Sequence, residues 1–142
     1  MIDHVTLVVS NYQRSRDQYL AALAPLGYQL IMELSRAEIP ELPAERFCGM
    51  GVAGKPDLWM RPGEGAVTPV HLAFRCNEPA QVDAFHAAAL AAGMTDNGPP
   101  GPRAHYHPGY YGAFVLDPDG NNIEVVHHGP AQRSADAIKI AF

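Results

Sequence analysis

The feature that most limits what this chain can fold into is an internal repeat. A strand-like run, a helix-like run and a set of further strands occur in that order twice. Residues 2–9 are rich in β-branched side chains and predict a buried strand. Ser10 or Asn11 is placed to cap a helix whose Tyr12, Tyr19, Leu20 and Leu23 share one face, and Pro25 and Gly27 stop it. Strands are then expected over residues 28–34, 47–52 and 57–60, with a proline-containing loop over 36–45 and a linker over 61–66. The second round opens with a strand over 70–76. Asn77, Glu78 and Pro79 start a helix with Val82, Phe85, His86, Ala89 and Leu90 on one face, and Gly93 ends it. Residues 97–108, with four prolines, predict a long loop; 110–116 and 122–127 predict strands joined by the turn Asp117-Pro118-Asp119-Gly120.

The two rounds align. His4 near the start of the first strand matches His71 near the start of its counterpart. Tyr19 matches Phe85 and Gly27 matches Gly93, once one residue of drift is allowed in the strand–helix connection. The expectation is an α+β fold of two βαβββ-type modules. It makes a single domain over residues 1–129, with module 1 at about 1–62 and module 2 at about 69–129. Residues 130–142 form a tail without a clear place, either contacting a partner or disordered.

Composition narrows the function classes. With 142 residues, 47% hydrophobic and 18% charged, the chain has material for one ordinary core. A net charge of -5 without a basic run leaves no electrostatic footprint for nucleic acid. No apolar stretch approaches the roughly 20 residues that span a bilayer, and the N-terminus lacks a basic leader. Cys48 and Cys76 alone make no disulfide framework, which favours a reducing, cytoplasmic setting.

Strand parity selects three residues that carry chemistry. His4 shares a face with Ile2, Thr6 and Val8, opposite the apolar Val5, Leu7 and Val9. His71 shares a face with Ala73 and Arg75; Glu124 shares one with Asn122, Val126 and His128. Each faces away from the more apolar side of its strand. Two imidazoles and a carboxylate can hold a divalent metal and leave positions open to substrate oxygens. The plainer alternative is that each is a hydrogen-bonded strand residue with no metal.

Ile2-Asp3-His4-Val5, Pro69-Val70-His71-Leu72-Ala73-Phe74 and the run from Phe114 through Asp117-Pro118-Asp119-Gly120 to Glu124 resemble the pattern of the vicinal oxygen chelate superfamily. That group includes glyoxalase I, bleomycin resistance proteins and extradiol dioxygenases. The resemblance implies that the two βαβββ modules form a cupped mixed sheet, which holds one divalent ion (Fe, Mn, Zn, Ni or Co) through His4, His71 and Glu124. It also implies a homodimer, often with modules of two chains completing each site. Glyoxalase I proteins add a Glu or Gln on the last strand of module 1, but here Asp57-Leu58-Trp59-Met60-Arg61 has none in its middle and Asp57 sits too early. Fosfomycin resistance proteins place a Trp there, as Trp59 does. They also carry a Ser-Glu-Gly potassium loop where this chain has Tyr110-Tyr111-Gly112. A three-residue set is the extradiol dioxygenase arrangement.

The segment from Arg103 to Tyr111 packs His105, His107, Tyr106, Tyr110 and Tyr111 among prolines and glycines. It reads either as a pocket wall or as a rigid aromatic loop at a dimer interface. In the first case His105, His107 or Tyr111 acts in catalysis, and Arg103, Tyr106, Tyr110 and Trp59 line the pocket. Trp59 is equally suited to filling the core. His86 is expected to be structural, His128 to end a strand in solvent, and the cysteines to pack. The expectation is a metal-dependent enzyme of glyoxalase or dioxygenase type acting on a small oxygenated substrate. The alternatives are a metal-independent protein that binds a drug or metabolite in the same cup, and a structural dimer that binds neither.

Overall fold

The computed structural model describes residues 2–130. The element order is β1 (Val5–Val9), α1 (Tyr12–Leu23), β2 (Gln29–Ser35), β3 (Arg46–Val52), β4 (Lys55–Pro62), β5 (His71–Arg75), α2 (Pro79–Ala91), β6 (Thr95–Pro102), β7 (Tyr111–Leu116) and β8 (Asn122–His127). The strands form two four-stranded sheets, ordered β1-β4-β3-β2 and β5-β8-β7-β6. In each, the first strand pairs in parallel with the last and the remaining pairs are antiparallel. The fold is therefore α+β, built from two βαβββ modules, and the repeat seen in the sequence is a repeat of topology.

The helices form where the periodicity predicts them. Asn11 caps α1, its Oδ1 accepting from Arg14 N at 3.1 Å, and Tyr12, Tyr19, Ala22 and Leu23 are buried. Gln81 Oε1 accepts from the backbone N–H of both Asn77 and Glu78, closing the start of α2. Gly27 and Gly93 end the two helical segments with φ of 86° and 90°, a conformation that penalises any Cβ. Val82, Phe85, His86 and Ala89 are buried as expected, but Leu90 is 40% exposed, because the apolar stripe of α2 ends one residue earlier.

The modules share one core. Leu7, Val9, Tyr19, Leu23, Leu58 and Met60 of the first join Phe74, Val82, Phe85, Val115, Ile123 and Val125 of the second. Reciprocal hydrogen bonds tie the helices: Gln18 Nε2 donates to Ala92 O at 2.9 Å, and Gln81 Nε2 donates to Pro25 O at 3.1 Å. Each glutamine of one helix thereby satisfies a carbonyl just past the end of the other. The buried Tyr19 hydroxyl donates to Asp117 Oδ2 at 2.8 Å, joining α1 to the β7–β8 turn. Asp117 also accepts from the N–H of Asp119 and Asn121, so this carboxylate holds the turn.

Three boundaries differ from expectation. The proline-rich stretch over 97–108, expected as a loop, is a strand in its first part, β6, at the edge of its sheet. Its register shifts between Asp96 and Gly98 and again between Gly98 and Gly101, which is how an edge strand tolerates prolines that cannot donate. The strand expected to start before His4 begins only at Val5, and Arg61 and Pro62 belong to β4 rather than to the linker. The tail, from residue 131 on, lies outside the described residues.

Candidate metal centre

Pairing fixes which side chains share the open face of the second sheet. Ala73 stands beside Glu124 in the parallel pair, and Phe114 stands opposite Glu124 in the antiparallel pair. His71 is two residues before Ala73 and projects to the same side. The other side, carrying Phe74, Ala113, Val115, Ile123 and Val125, is buried in the core. His71 Nε2 lies 3.1 Å from Glu124 Oε2. The two are unequally exposed: Glu124 is 3% exposed, whereas the His71 side chain is 50% exposed. A buried carboxylate is costly unless both oxygens find partners. Here the second oxygen, Oε1, accepts a hydrogen bond from the Tyr110 hydroxyl. Burial, and then the adjacent Glu124 carboxylate, push the Tyr110 phenol well above its ordinary pKa, so it stays protonated and donates.

Tyr110 is held in turn by an aromatic cluster. Its ring meets Tyr106, His107 and His128 edge-on, at centroid distances of 5.0, 5.3 and 5.2 Å. His107 Nδ1 donates to the carbonyl of Pro108 at 2.7 Å, which leaves Nε2 of the neutral ring to accept from His128 Nδ1 at 2.9 Å. Burial, reinforced by His107, holds the His128 pKa below its ordinary value. Arg103 N donates to Tyr110 O at 2.8 Å, and its guanidinium lies 5.7 Å from the centre of the Phe114 ring. His105 is exposed and packs on Tyr106 at 4.3 Å. Tyr111 leaves this group: its hydroxyl donates to Asp83 of α2 at 2.8 Å, on the opposite side of the strand from Tyr110. Tyr111, expected to act in catalysis, is thus turned away from Glu124 by alternation along β7.

The open face of the first sheet carries Thr6 beside Trp59 and Val8 beside Arg61. Trp59 packs on Phe47 at 5.4 Å, over Gly49, where an added Cβ would come within 3.1 Å of the indole. Asp57 lies on the same face of β4. Burial pushes its carboxyl up, partly offset by the Tyr28 hydroxyl. His4 precedes β1, its side chain 56% exposed, and its Nδ1 lies 2.8 Å from Asp3 Oδ1. Lys55 Nζ is 3.2 Å from the other Asp3 oxygen. A cavity of about 790 Å³ opens beside this sheet, lined by Thr6, Val8, Arg36, Arg61, Val70 and Asn121 among others.

Of the three expected ligands, the structure thus brings together His71 and Glu124, and His4 stands apart on the other module. Among the described residues, no three His, Cys, Asp or Glu side chains stand close enough to share one ion. The donor chemistry of the pair fits a divalent metal: a half-exposed imidazole beside a carboxylate whose far oxygen is already fixed. His128, expected to end a strand in solvent, joins the Tyr110 cluster instead, and the strand face it shares with Glu124 is the signal the sequence offers. The pairing of Tyr111 with Asp83 left no local trace in the sequence.

Comparison with known proteins agrees with this architecture. The family model for the Glyoxalase/Bleomycin resistance protein/Dioxygenase superfamily matches residues 1–125. A search of curated proteins finds no match. Among solved structures, a glyoxalase/bleomycin resistance protein from Albidiferax ferrireducens T118 is 28% identical, with a TM-score of 0.66 over 88% of this chain and 96% of that one. A glutamate-to-glutamine mutant of glyoxalase I from Zea mays is 24% identical, with a TM-score of 0.65 over 88% of this chain and 46% of that one. A glutamate-to-glutamine mutant of the fosfomycin resistance protein FosX from Listeria monocytogenes, complexed with Mn(II) and 1S,2S-dihydroxypropylphosphonic acid, is 16% identical. Its TM-score is 0.61 over 88% of this chain and 87% of that one. The repeat, the sheet order and the family match over residues 1–125 agree: the chain belongs to the Glyoxalase/Bleomycin resistance protein/Dioxygenase superfamily.

Proposed function

We propose that this protein is a metal-dependent enzyme of glyoxalase or dioxygenase type, acting on a small substrate through two vicinal oxygens. One observation carries the reading: His71 and Glu124 meet at 3.1 Å on an open sheet face, with the carboxylate buried and its far oxygen anchored. His71 and Glu124 would hold the ion, with His4 as the third residue. Because His4 precedes β1 of the other sheet and pairs with Asp3, a second copy of the chain is the natural source of that imidazole, in a homodimer. The ion when bound supplies Lewis-acid polarisation of the substrate oxygens. The chain's own residues do the rest: Glu124 and His71 fix the reacting end, the Phe114 ring and Arg103 wall the open face, and Tyr110 keeps Glu124 oriented. The Listeria FosX bound to Mn(II) and a vicinal diol lends the fold a precedent for such a ligand.

The test is anaerobic titration of the metal-free protein with Fe(II), Mn(II), Ni(II), Co(II) and Zn(II), beside Glu124→Gln and His71→Ala. Stoichiometric binding abolished by both changes supports the reading, and the preferred ion directs the substrate screen. Binding indifferent to both changes contradicts it.

A second reading rests on a separate observation. The cavity of about 790 Å³ lies beside the first sheet and is lined by neither His71 nor Glu124. A metal-independent protein that holds a drug or metabolite would use such a space. That reading predicts ligand binding unchanged by chelator and by Glu124→Gln.

A further inference from the structure

We infer that the cavity beside the first sheet is a binding site for a small organic anion, with Arg61 as the residue that recognises the charge. This inference rests on the second reading above, that the cavity holds a small molecule, and adds the chemistry of that molecule. It needs no metal, since neither His71 nor Glu124 lines the space.

The cavity has fixed walls. At about 790 Å³ it falls within the roughly 300–1,000 Å³ usual for small-molecule sites. One wall is the stretch from Gly63 to Val70, which joins the modules. Gly63 N donates to Val9 O at 3.0 Å, and Val70 N donates to Oδ1 of the buried Asn121 at 2.9 Å. Gly63 permits that path, because a Cβ there would lie 2.6 Å from Val8 Cγ1. The other wall is the β2–β3 loop, closed at its neck by Arg36 N donating to Glu45 O at 3.1 Å. Within it, Ser35 N and Oγ both donate to Glu38 Oε2. Val8, Pro43, Ala44, Pro62 and Val67 give the space its apolar lining.

Inside this lining stand two guanidinium groups without a counter-charge. Arg61 lies near the end of β4, beside Val8 in the parallel pair with β1, and it is partly buried. Its side chain makes one hydrogen bond, from Nη1 to Pro62 O at 3.3 Å. Arg36 enters from the loop. Its Nε donates to Leu42 O at 3.0 Å, which leaves both Nη groups to a ligand. Among the described residues, ion pairs form at Arg16, Arg46 and Lys55 and at neither Arg61 nor Arg36. Two carboxylates, Glu45 and Glu64, also line the cavity, but both are exposed and neither pairs with an arginine. A guanidinium partly withdrawn from water is the costly group here. A ligand carboxylate or sulfonate relieves that cost with charge-assisted hydrogen bonds. The glutamates, already in water, gain no such relief from a cation. The fitting ligand is therefore an apolar body carrying one oxyanion.

The test is fluorescence titration with two probes that differ by one anionic group: anilinonaphthalenesulfonate and its neutral parent, phenylnaphthylamine. Both brighten in apolar surroundings. The metal-free wild type, Arg61→Gln and Glu64→Gln are titrated in the presence of a chelator. Arg61→Gln is expected to weaken binding of the sulfonate by about tenfold or more. It should leave phenylnaphthylamine unchanged, and Glu64→Gln should bind the sulfonate no more weakly than wild type does. Sulfonate binding indifferent to Arg61→Gln overturns the inference and leaves the second reading standing. Equal weakening of both probes also overturns it, since Arg61 would then support the wall rather than read the charge. So does the same weakening in Glu64→Gln. A wild type that binds neither probe overturns the second reading and this inference with it. The metal reading is untouched by each of these outcomes.

Discussion

Trp59 occupies in the first module the position that Glu124 occupies in the second. Trp59 stands beside Thr6 in the parallel pair of β4 with β1, and Glu124 stands beside Ala73 in the parallel pair of β8 with β5. His4 lies two residues before Thr6, as His71 lies two before Ala73. The repeat therefore offers four equivalent places, and this chain fills them with two histidines, one glutamate and one indole. Asp57, two residues earlier on β4, is not the counterpart of Glu124.

Replacing the indole by a carboxylate completes the fourth place. Trp59→Glu is expected to tighten Mn(II) or Zn(II) binding by about tenfold. Losing the packing on Phe47 costs about 1–3 kcal/mol of stability. Competition titration against a chelating dye reads the first effect, and urea denaturation reads the second. Unchanged affinity would show that the two open faces do not meet at one ion.

Gly112 is expected to tolerate no side chain if the Tyr110–Glu124 contact matters. Gly112→Ala places a methyl 3.2 Å from Tyr110 Cε1 and 3.3 Å from Glu124 Oε1, so one of them must give way. Metal affinity should fall by about tenfold or more, the range typical of disturbed supports behind a ligand. Isothermal titration checks the affinity, and a thermal melt separates it from unfolding.

A buried hydrogen bond between Tyr19 and Asp117 joins the modules. Tyr19→Phe removes the donor to Asp117 Oδ2, which still accepts from Asn121 Nδ2 at 2.7 Å. The expected loss is about 1–2 kcal/mol in urea denaturation. Asp117→Ala, which releases Tyr19, Asn121 and the turn together, should cost about 3 kcal/mol or more.

The aromatic cluster gives stability a pH dependence in the acid range. His128 has a folded-state pKa below its ordinary 6.5, chiefly from burial and then from His107. As pH falls below 6.5, the unfolded chain takes up this proton before the folded chain does. Stability is therefore full above that value and declines on acidification, down to the depressed pKa. His128→Gln should flatten that decline. Denaturation midpoints measured on either side of pH 6.5 check it.

Much of this is legible in the sequence. The two strand–helix starts, Gly27 and Gly93, and the β7–β8 turn carry strong local chemistry, and each stands where periodicity puts it. Alternation along β5 and β8 suffices to put His71 and Glu124 on a common side. β6 is hidden because its prolines suppress the usual strand pattern, and what stabilises it is non-local: the pairing with β7 and the bond from His86 of α2 to Asp96. Tyr110 and Tyr111 are neighbours of identical type, so composition cannot rank them. Alternation in β7 decides that one meets Glu124 and the other Asp83. The separation of His4 from His71 could not be read from spacing, since it depends on how the modules are arranged.

On the proposed reading, two copies of the chain build each metal site, one giving His4 and the other His71 and Glu124. It is tested most directly by mixing His4→Ala with Glu124→Gln, dissociating and reassociating the two variants together, and measuring bound Mn(II). Each variant alone should fail to bind stoichiometrically. In the mixture, a hybrid dimer regains one intact site from the two chains, so about a quarter of wild-type capacity should return. A mixture that binds no more than the separate variants would contradict the account, because a site built within one chain leaves every chain of the mixture defective.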